Sequence, residues 1–156
     1  MKTQAMRILE GKKIPYDLLS YPPGEKDAEI IADILNIPPE DVFKTLVVVR
    51  GQSKPLLVMV PANKKLGLKK VAIAVGEKKV RMASYQEAET LTGLQVGGIS
   101  ALALINRGFL PYLDQSALEK KKIFISAGKR GYQIGLNPQD LLVITGAKVI
   151  DAVSGG

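Results

Sequence analysis

The sequence predicts an α+β fold: a single domain over residues 1–156 with a mixed, strongly twisted, barrel-like sheet and helices packed outside. Segments rich in β-branched residues outnumber those with helical spacing. Several of these segments are joined by hairpin-length loops, such as Gly51-Gln52-Ser53-Lys54. Such loops require antiparallel neighbours, which excludes a wholly parallel, doubly wound sheet. The length of 156 residues, 46% of them apolar, suits one domain with its own core. No internal repeat, linker or low-complexity tract interrupts it.

Residues 3 to 10 read as a short helix with Ala5, Met6, Ile8 and Leu9 as its apolar stripe, stopped by Gly11. Ile14, Tyr16 and Leu18 alternate with Pro15 and Asp17, which predicts a strand running to Tyr21. Pro15 places that strand at a sheet edge. After the Tyr21-Pro22-Pro23-Gly24 turn, Asp27 can cap a helix over Ala28, Ile31, Ala32 and Leu35, with Asn36 as its end. Pro38-Pro39-Glu40-Asp41 has the composition of a first helical turn.

That turn delivers the chain to Val42–Arg50, a β-branched run that turns at Gly51 and returns antiparallel as Leu56–Val60. Alternation puts Phe43, Thr45, Val47 and Val49 on one face of the first strand, and Lys44 on the other with Leu46 and Val48. An ammonium on an apolar row has two outlets. It lies at the strand's open end with its head in water, or it points into a cavity.

Leu68 to Val75 reads as a helix with Gly76 beyond its end, and Lys79–Ala83 as a short strand. Ser84-Tyr85-Gln86-Glu87 matches a capping box that opens a helix to about Leu91, ended by Thr92-Gly93. Phe109–Leu113 resembles a strand, with Pro111 setting it near an edge, and Asp114 caps the following turn. Ile123–Ser126 and Tyr132–Leu136 form a hairpin around Ala127–Gly131. A helix from Pro138 to Gly146 and a strand over Lys148–Ile150 complete the chain.

The sequence contains no cysteine and no histidine. Disulfides, thiolate sites, a Ser-His-Asp triad and histidine metal centres are therefore excluded. Catalysis has to use Lys, Arg, carboxylates, hydroxyls, backbone amides or the substrate itself, and no cofactor or metal is expected. The net charge of +7, from 22 basic against 15 acidic residues, favours a polyanionic partner, RNA or DNA before membranes. No apolar run approaches the roughly 20 residues of a membrane span, and the N-terminus lacks a signal-peptide core. A cytoplasmic protein is expected. Only eight residues are aromatic, which argues against a platform for stacking a run of bases.

Two glycine-rich loops carry candidate chemistry. Gly97-Gly98-Ile99-Ser100 is either a tight turn or a stretch of bare backbone that presents amides to an oxyanion or phosphate. It is neither a nucleotide-binding loop nor a nucleophile elbow around Ser100. Ser126–Gly131 places Lys129 and Arg130 on a hairpin tip, as a charged turn or as a grip on phosphates. Lys64-Lys65, Lys69-Lys70, Lys78-Lys79 and Lys120-Lys121-Lys122 are solvated faces singly, and together a candidate basic rim for an RNA end. Tyr21 is a candidate pocket-lining residue.

In order, Val42-Phe43-Lys44-Thr45-Leu46, Lys79-Val80-Arg81-Met82-Ala83, Thr92-Gly93, Gly97-Gly98-Ile99-Ser100 and Ser126–Gly131 resemble the YbaK-type aminoacyl-tRNA deacylases. That family is related to the editing domain of bacterial prolyl-tRNA synthetase, and the likeness runs from about Ile14 to Ala152. The resemblance implies trans-editing, the clearing of a wrong amino acid, Cys or Ala, from the proline tRNA. It implies a pocket beside the motif lysine, matched by Lys44, and a motif tyrosine matched by Tyr21. It also implies a Gly-x-x-x-Pro loop beginning at Gly97. In cysteine-clearing members it implies attack by the substrate's own thiol, giving a cyclic thiolactone. The expected partners are the acceptor end of an aminoacyl-tRNA and prolyl-tRNA synthetase.

On this footing Lys44, Gly97, Gly98 and Ser100 are the candidate catalytic group, and Tyr21, Lys129 and Arg130 the candidate substrate-binding group. Two positions depart from the family pattern: Ala101 stands where the loop ends in proline, and Gln133 where some members are acidic. They favour the competing expectation, a non-catalytic tRNA-binding or synthetase-associated module.

Overall fold

The computed structural model describes residues 2–155. Helix α1 (Gln4–Gly11) begins where the Thr3 hydroxyl accepts the Met6 amide, and it turns Ala5, Met6 and Leu9 inward. Strand β1 (Asp17–Ser20) is shorter than the alternation from Ile14 predicts. Pro15 lies before the ladder rather than in it, since it has no N–H to contribute. The Asp27 carboxylate caps α2 (Ala28–Ile34) by accepting the amides of Glu29 and Ile30. Asn36, at φ 58°, turns the chain away from that helix. A 3-10 turn at Pro39–Asp41 then leads into β2 (Phe43–Val49).

Strand β3 (Leu56–Pro61) returns antiparallel to β2 and sets Lys44 opposite Val60. Helix α3 (Leu68–Val75) stops at Gly76, which takes φ 76°. Strand β4 contracts to Arg81–Met82, and the reciprocal Ser84–Glu87 capping box opens α4 (Tyr85–Thr92). The remaining elements are β5 (Leu110–Asp114), β6 (Ile123–Ser126), β7 (Tyr132–Leu136), α5 (Pro138–Thr145) and β8 (Lys148–Ile150).

The α+β class and the mixed pairing hold, but the strands form two sheets and not one. One has the order β1-β7-β6, the other β4-β2-β3-β5-β8. A single parallel bridge, Val42 to Phe124, joins them, and no ladder among the described residues closes the strands into a barrel. Val42 is where the 3-10 turn hands over to β2, so only one residue there runs extended beside β6.

Pro111 also departs from expectation, because β5 lies inside its sheet, parallel to both β3 and β8. The Leu110 amide donates to Pro55, so alternate amides face β3 and the Pro111 nitrogen faces β8. Pairing with β8 begins only at Tyr112, and the missing donor costs the ladder nothing.

The larger core lies between the sheets. It joins Phe43, Val47, Leu57 and Met59 to Ile123, Ile125, Ile134 and Leu136, with Met6 and Leu9 of α1. The opposite face of the five-stranded sheet packs Val48, Leu56, Val58 and Val60 against Val71 and Ala72 of α3. Strand β3 is buried on both faces, which is why its sequence is a continuous apolar run. Each such side chain contributes ~1.5–3 kcal/mol by leaving water. No helix among the described residues is long and apolar enough to cross a membrane.

Candidate functional site

The start of β2, the N-terminal turn of α2, the β4–α4 junction and the Gly97 loop enclose a cavity of about 540 Å³. Its apolar wall includes Phe43, Val47, Ile31, Val96 and Ile99, and its polar groups include Lys44, Thr45, Ser126 and Gln133. Concave, mostly apolar sites of this size with a few polar groups are typical for small ligands.

Lys44 is half-buried, and its Nζ donates to the Ala62 carbonyl oxygen at 3.2 Å. An ammonium has three donors, so most of its capacity is left for a ligand. Burial pushes the Lys44 pKa below the ordinary lysine value, while the carboxylates of Glu29 and Asp27 act the other way. Lys44 and its acceptor residue Ala62 both line the cavity.

The Gly97 loop is held from both sides. The Glu89 carboxylate accepts the Val96 amide at 2.8 Å, and Arg130 Nε donates to the Val96 carbonyl at 2.7 Å. The buried Thr92 hydroxyl closes the end of α4 by donating to Ala88 and accepting from Leu94. Gly97 adopts φ 93°, a conformation that favours glycine. A Cβ on Gly98 would come within 2.9 Å of the Arg130 backbone nitrogen. The two glycine-rich loops therefore interlock. Tyr21, 6% exposed, ties them together: its hydroxyl is 3.5 Å from the Gly97 carbonyl, and its amide donates to Gly131 at 2.9 Å.

The sequence-predicted residues separate into groups. Lys44 and Gly97 line the cavity. Gly98 packs behind, with its amide already donated to Gln95 at 2.8 Å, and Ser100 is fully buried with its hydroxyl accepting the Ala103 amide. Arg130 clamps the loop, whereas Lys129 lines a separate cleft with Lys2 and Arg107. The lysine clusters do not line the cavity. Lys70, Lys120 and Lys122 form ion pairs with Asp151, Asp41 and Asp17 respectively.

Sequence reasoning did not single out Thr45, and it named Gln133 only as a departure from the family pattern; both line the cavity. Their Oγ1 and Oε1 atoms are buried beside the cavity with no hydrogen-bond partner among the described residues. The signal for Gln133 was present, as a polar residue inside the apolar strand Tyr132–Leu136 that proves 4% exposed. Ser126, whose hydroxyl accepts the Gly128 amide, and the rim residues Lys26 and Tyr85 were also missed.

Chemically, the cavity offers two cations, Lys44 and Lys26 at the rim, and several hydroxyl or carboxamide groups. Gly97 and Ile99 also line it, and neither amide donates to a backbone acceptor among the described residues. Free amides beside a cation can bind a developing oxyanion.

The aminoacyl-tRNA editing domain family matches residues 22–144. The chain is 40% identical over 146 residues to EbsC of Enterococcus faecalis, which carries the provisional name Cys-tRNA(Pro)/Cys-tRNA(Cys) deacylase. That alignment covers 92% of this chain and 88% of EbsC. A proline–tRNA ligase of Thermodesulfovibrio yellowstonii is 25% identical over 115 residues, which are 73% of this chain and 19% of the ligase. Among solved structures, one titled as a provisional trans-editing enzyme for prolyl-tRNA synthetase superposes with a TM-score of 0.81. It is 25% identical, and 99% of each chain is covered. A hypothetical protein superposes with a TM-score of 0.89 at 24% identity, over 97% of this chain and 99% of the other, a likeness of fold alone. With its motif lysine and glycine loop on one cavity, this chain belongs to the aminoacyl-tRNA editing domain family, the YbaK-type deacylases.

Proposed function

We propose that this protein acts in trans as a deacylase that breaks the ester between a wrong amino acid and tRNA. The substrate is Cys-tRNA(Pro), cleaved with help from the cysteine thiol, and Ala-tRNA(Pro) is the alternative. The observation that supports this reading is that Lys44, Gly97 and Ile99 line one cavity. An aminoacyl ester is already activated, so positioning and oxyanion stabilisation supply what catalysis it needs.

Lys44 anchors the terminal ribose, its phosphate or the ester carbonyl. The substrate thiol attacks the carbonyl carbon, and negative charge develops on the oxygen facing the loop amides. Collapse breaks the bond to the ribose oxygen, which takes up the proton lost by sulfur. The thiolactone and free tRNA leave. Gly98 and Ser100 give the loop its shape, Tyr21 supports it from below, and Arg130 fixes it through Nε while its terminal nitrogens remain for phosphate. Lys129 meets the RNA at the hairpin tip. The whole chain, 1–156, acts as one editing domain in the cytoplasm, alongside prolyl-tRNA synthetase and without cofactor or metal.

The competing reading, a non-catalytic tRNA-binding or synthetase-associated module, rests on Ala101 and Gln133. Incubation with proline tRNA charged with Cys, Ala or Pro separates the two. Loss of the Cys or Ala ester, with Pro spared, marks the enzyme. Retention of all three esters with salt-sensitive binding marks the module.

A further inference from the structure

Seven of the eight aromatic side chains are buried or partly buried, and Tyr85 alone is exposed, at 68%. It lines the rim of the cavity that holds Lys44. Met82, 39% exposed, lines the same cavity, so the β4–α4 junction presents an apolar ledge at the mouth. The ledge is firmly built. Tyr85 is the first residue of α4, directly after Ser84, whose capping box with Glu87 fixes the start of the helix. Arg81 grips that same Glu87 through two hydrogen bonds of 2.8 Å. Opposite, the Lys26 ammonium sits 6.0 Å from the centre of the Tyr85 ring. The carboxylates on that wall are turned to the main chain: Glu25 accepts the amides of Lys26 and Asp27, and Asp27 caps α2.

We infer that Tyr85 stacks the terminal base of the RNA 3′ end, while Lys26 swings from the ring to an adjacent phosphate. The inference rests on the editing function proposed above and adds to it a subsite for the nucleobase, distinct from the groups around the ester. A ring left in water at the mouth of a ligand cavity has an open π-face, and every base offers one in return. A cation already attracted to that ring exchanges a weak exposed contact for a charged partner. One ring holds one base. This agrees with the scarcity of aromatic residues, which argues against a longer stacking run.

The chain contains no tryptophan, so Tyr85→Trp installs a single fluorescent reporter. Titration with a CCA trinucleotide is expected to quench it saturably, and the same trinucleotide with an abasic final position is expected to quench at least ~10-fold more weakly. Equal responses, or none, overturn the inference. In deacylation, Tyr85→Ala is expected to raise KM for charged tRNA ~10-fold with kcat held, and Tyr85→Phe to restore it. An unchanged KM in Tyr85→Ala also overturns it. A wild-type protein that spares every ester sinks the proposed activity instead, and the fluorescence titration still decides the base site.

Discussion

Arg130 Nε donates to the carbonyl oxygen of Val96 at 2.7 Å, and the Glu89 carboxylate holds the amide of the same residue at 2.8 Å. The peptide groups flanking the last residue before Gly97 are thus fixed between a hairpin and a helix. Hydrogen bonds to charged groups are worth ~1.5–3 kcal/mol when partly buried. Arg130→Ala is expected to speed hydrogen exchange at residues 96–100 and to lower kcat/KM at least ~10-fold. Unchanged exchange at those amides would show that the clamp is not what orders the loop.

Gly98→Ala tests the interlock of the two loops. The added methyl would stand 2.9 Å from the Arg130 nitrogen and 3.1 Å from the Lys129 carbonyl carbon, both backbone atoms unable to swing aside. A loss of ~1–3 kcal/mol in denaturant unfolding is expected, together with loss of deacylation. Gly24→Ala, which meets nothing within 4 Å, is the matched control and should leave stability within ~0.5 kcal/mol of wild type. Equal effects at the two positions would refute the packing argument.

Lys44 links activity to alkaline pH. Its folded pKa lies below the ordinary lysine value because of burial. Between the two values the unfolded chain binds more protons than the folded one, so stability rises with pH through that window. Below it, the charged amine carries a burial cost. Lys44→Met is expected to flatten this rise in the alkaline range below ~10.4 and to abolish deacylation while the fold survives. Wild-type turnover should decline as pH rises through the same window. Full turnover in Lys44→Met would remove the residue from the mechanism.

Gln133 offers a trade between stability and function. Its Oε1 is buried without a partner among the described residues, a burden of ~1–3 kcal/mol unless a ligand donor arrives. Gln133→Met keeps the unbranched shape and is expected to raise Tm while lowering kcat/KM ~10-fold. A lower Tm with unaltered kinetics would mark Gln133 as a structural residue.

Much of the local structure was legible in the chain itself. The Asp27 cap, the Ser84–Glu87 box, the glycine stops at Gly76 and Gly146 and the two hairpins all depend on residues within a few positions of one another. Alternation likewise assigned Lys44 to one face of β2, but it could not say what that face meets. The division into two sheets, the interior place of β5 and the exposure of Tyr85 depend on partners far away in sequence. The sequence offered Arg130 as a phosphate grip, and only the fold brings Val96, 34 residues earlier, within reach of its Nε. Caps and turns are closed by nearest neighbours and are written locally, whereas a cavity is the space left between elements that only the packed chain brings together.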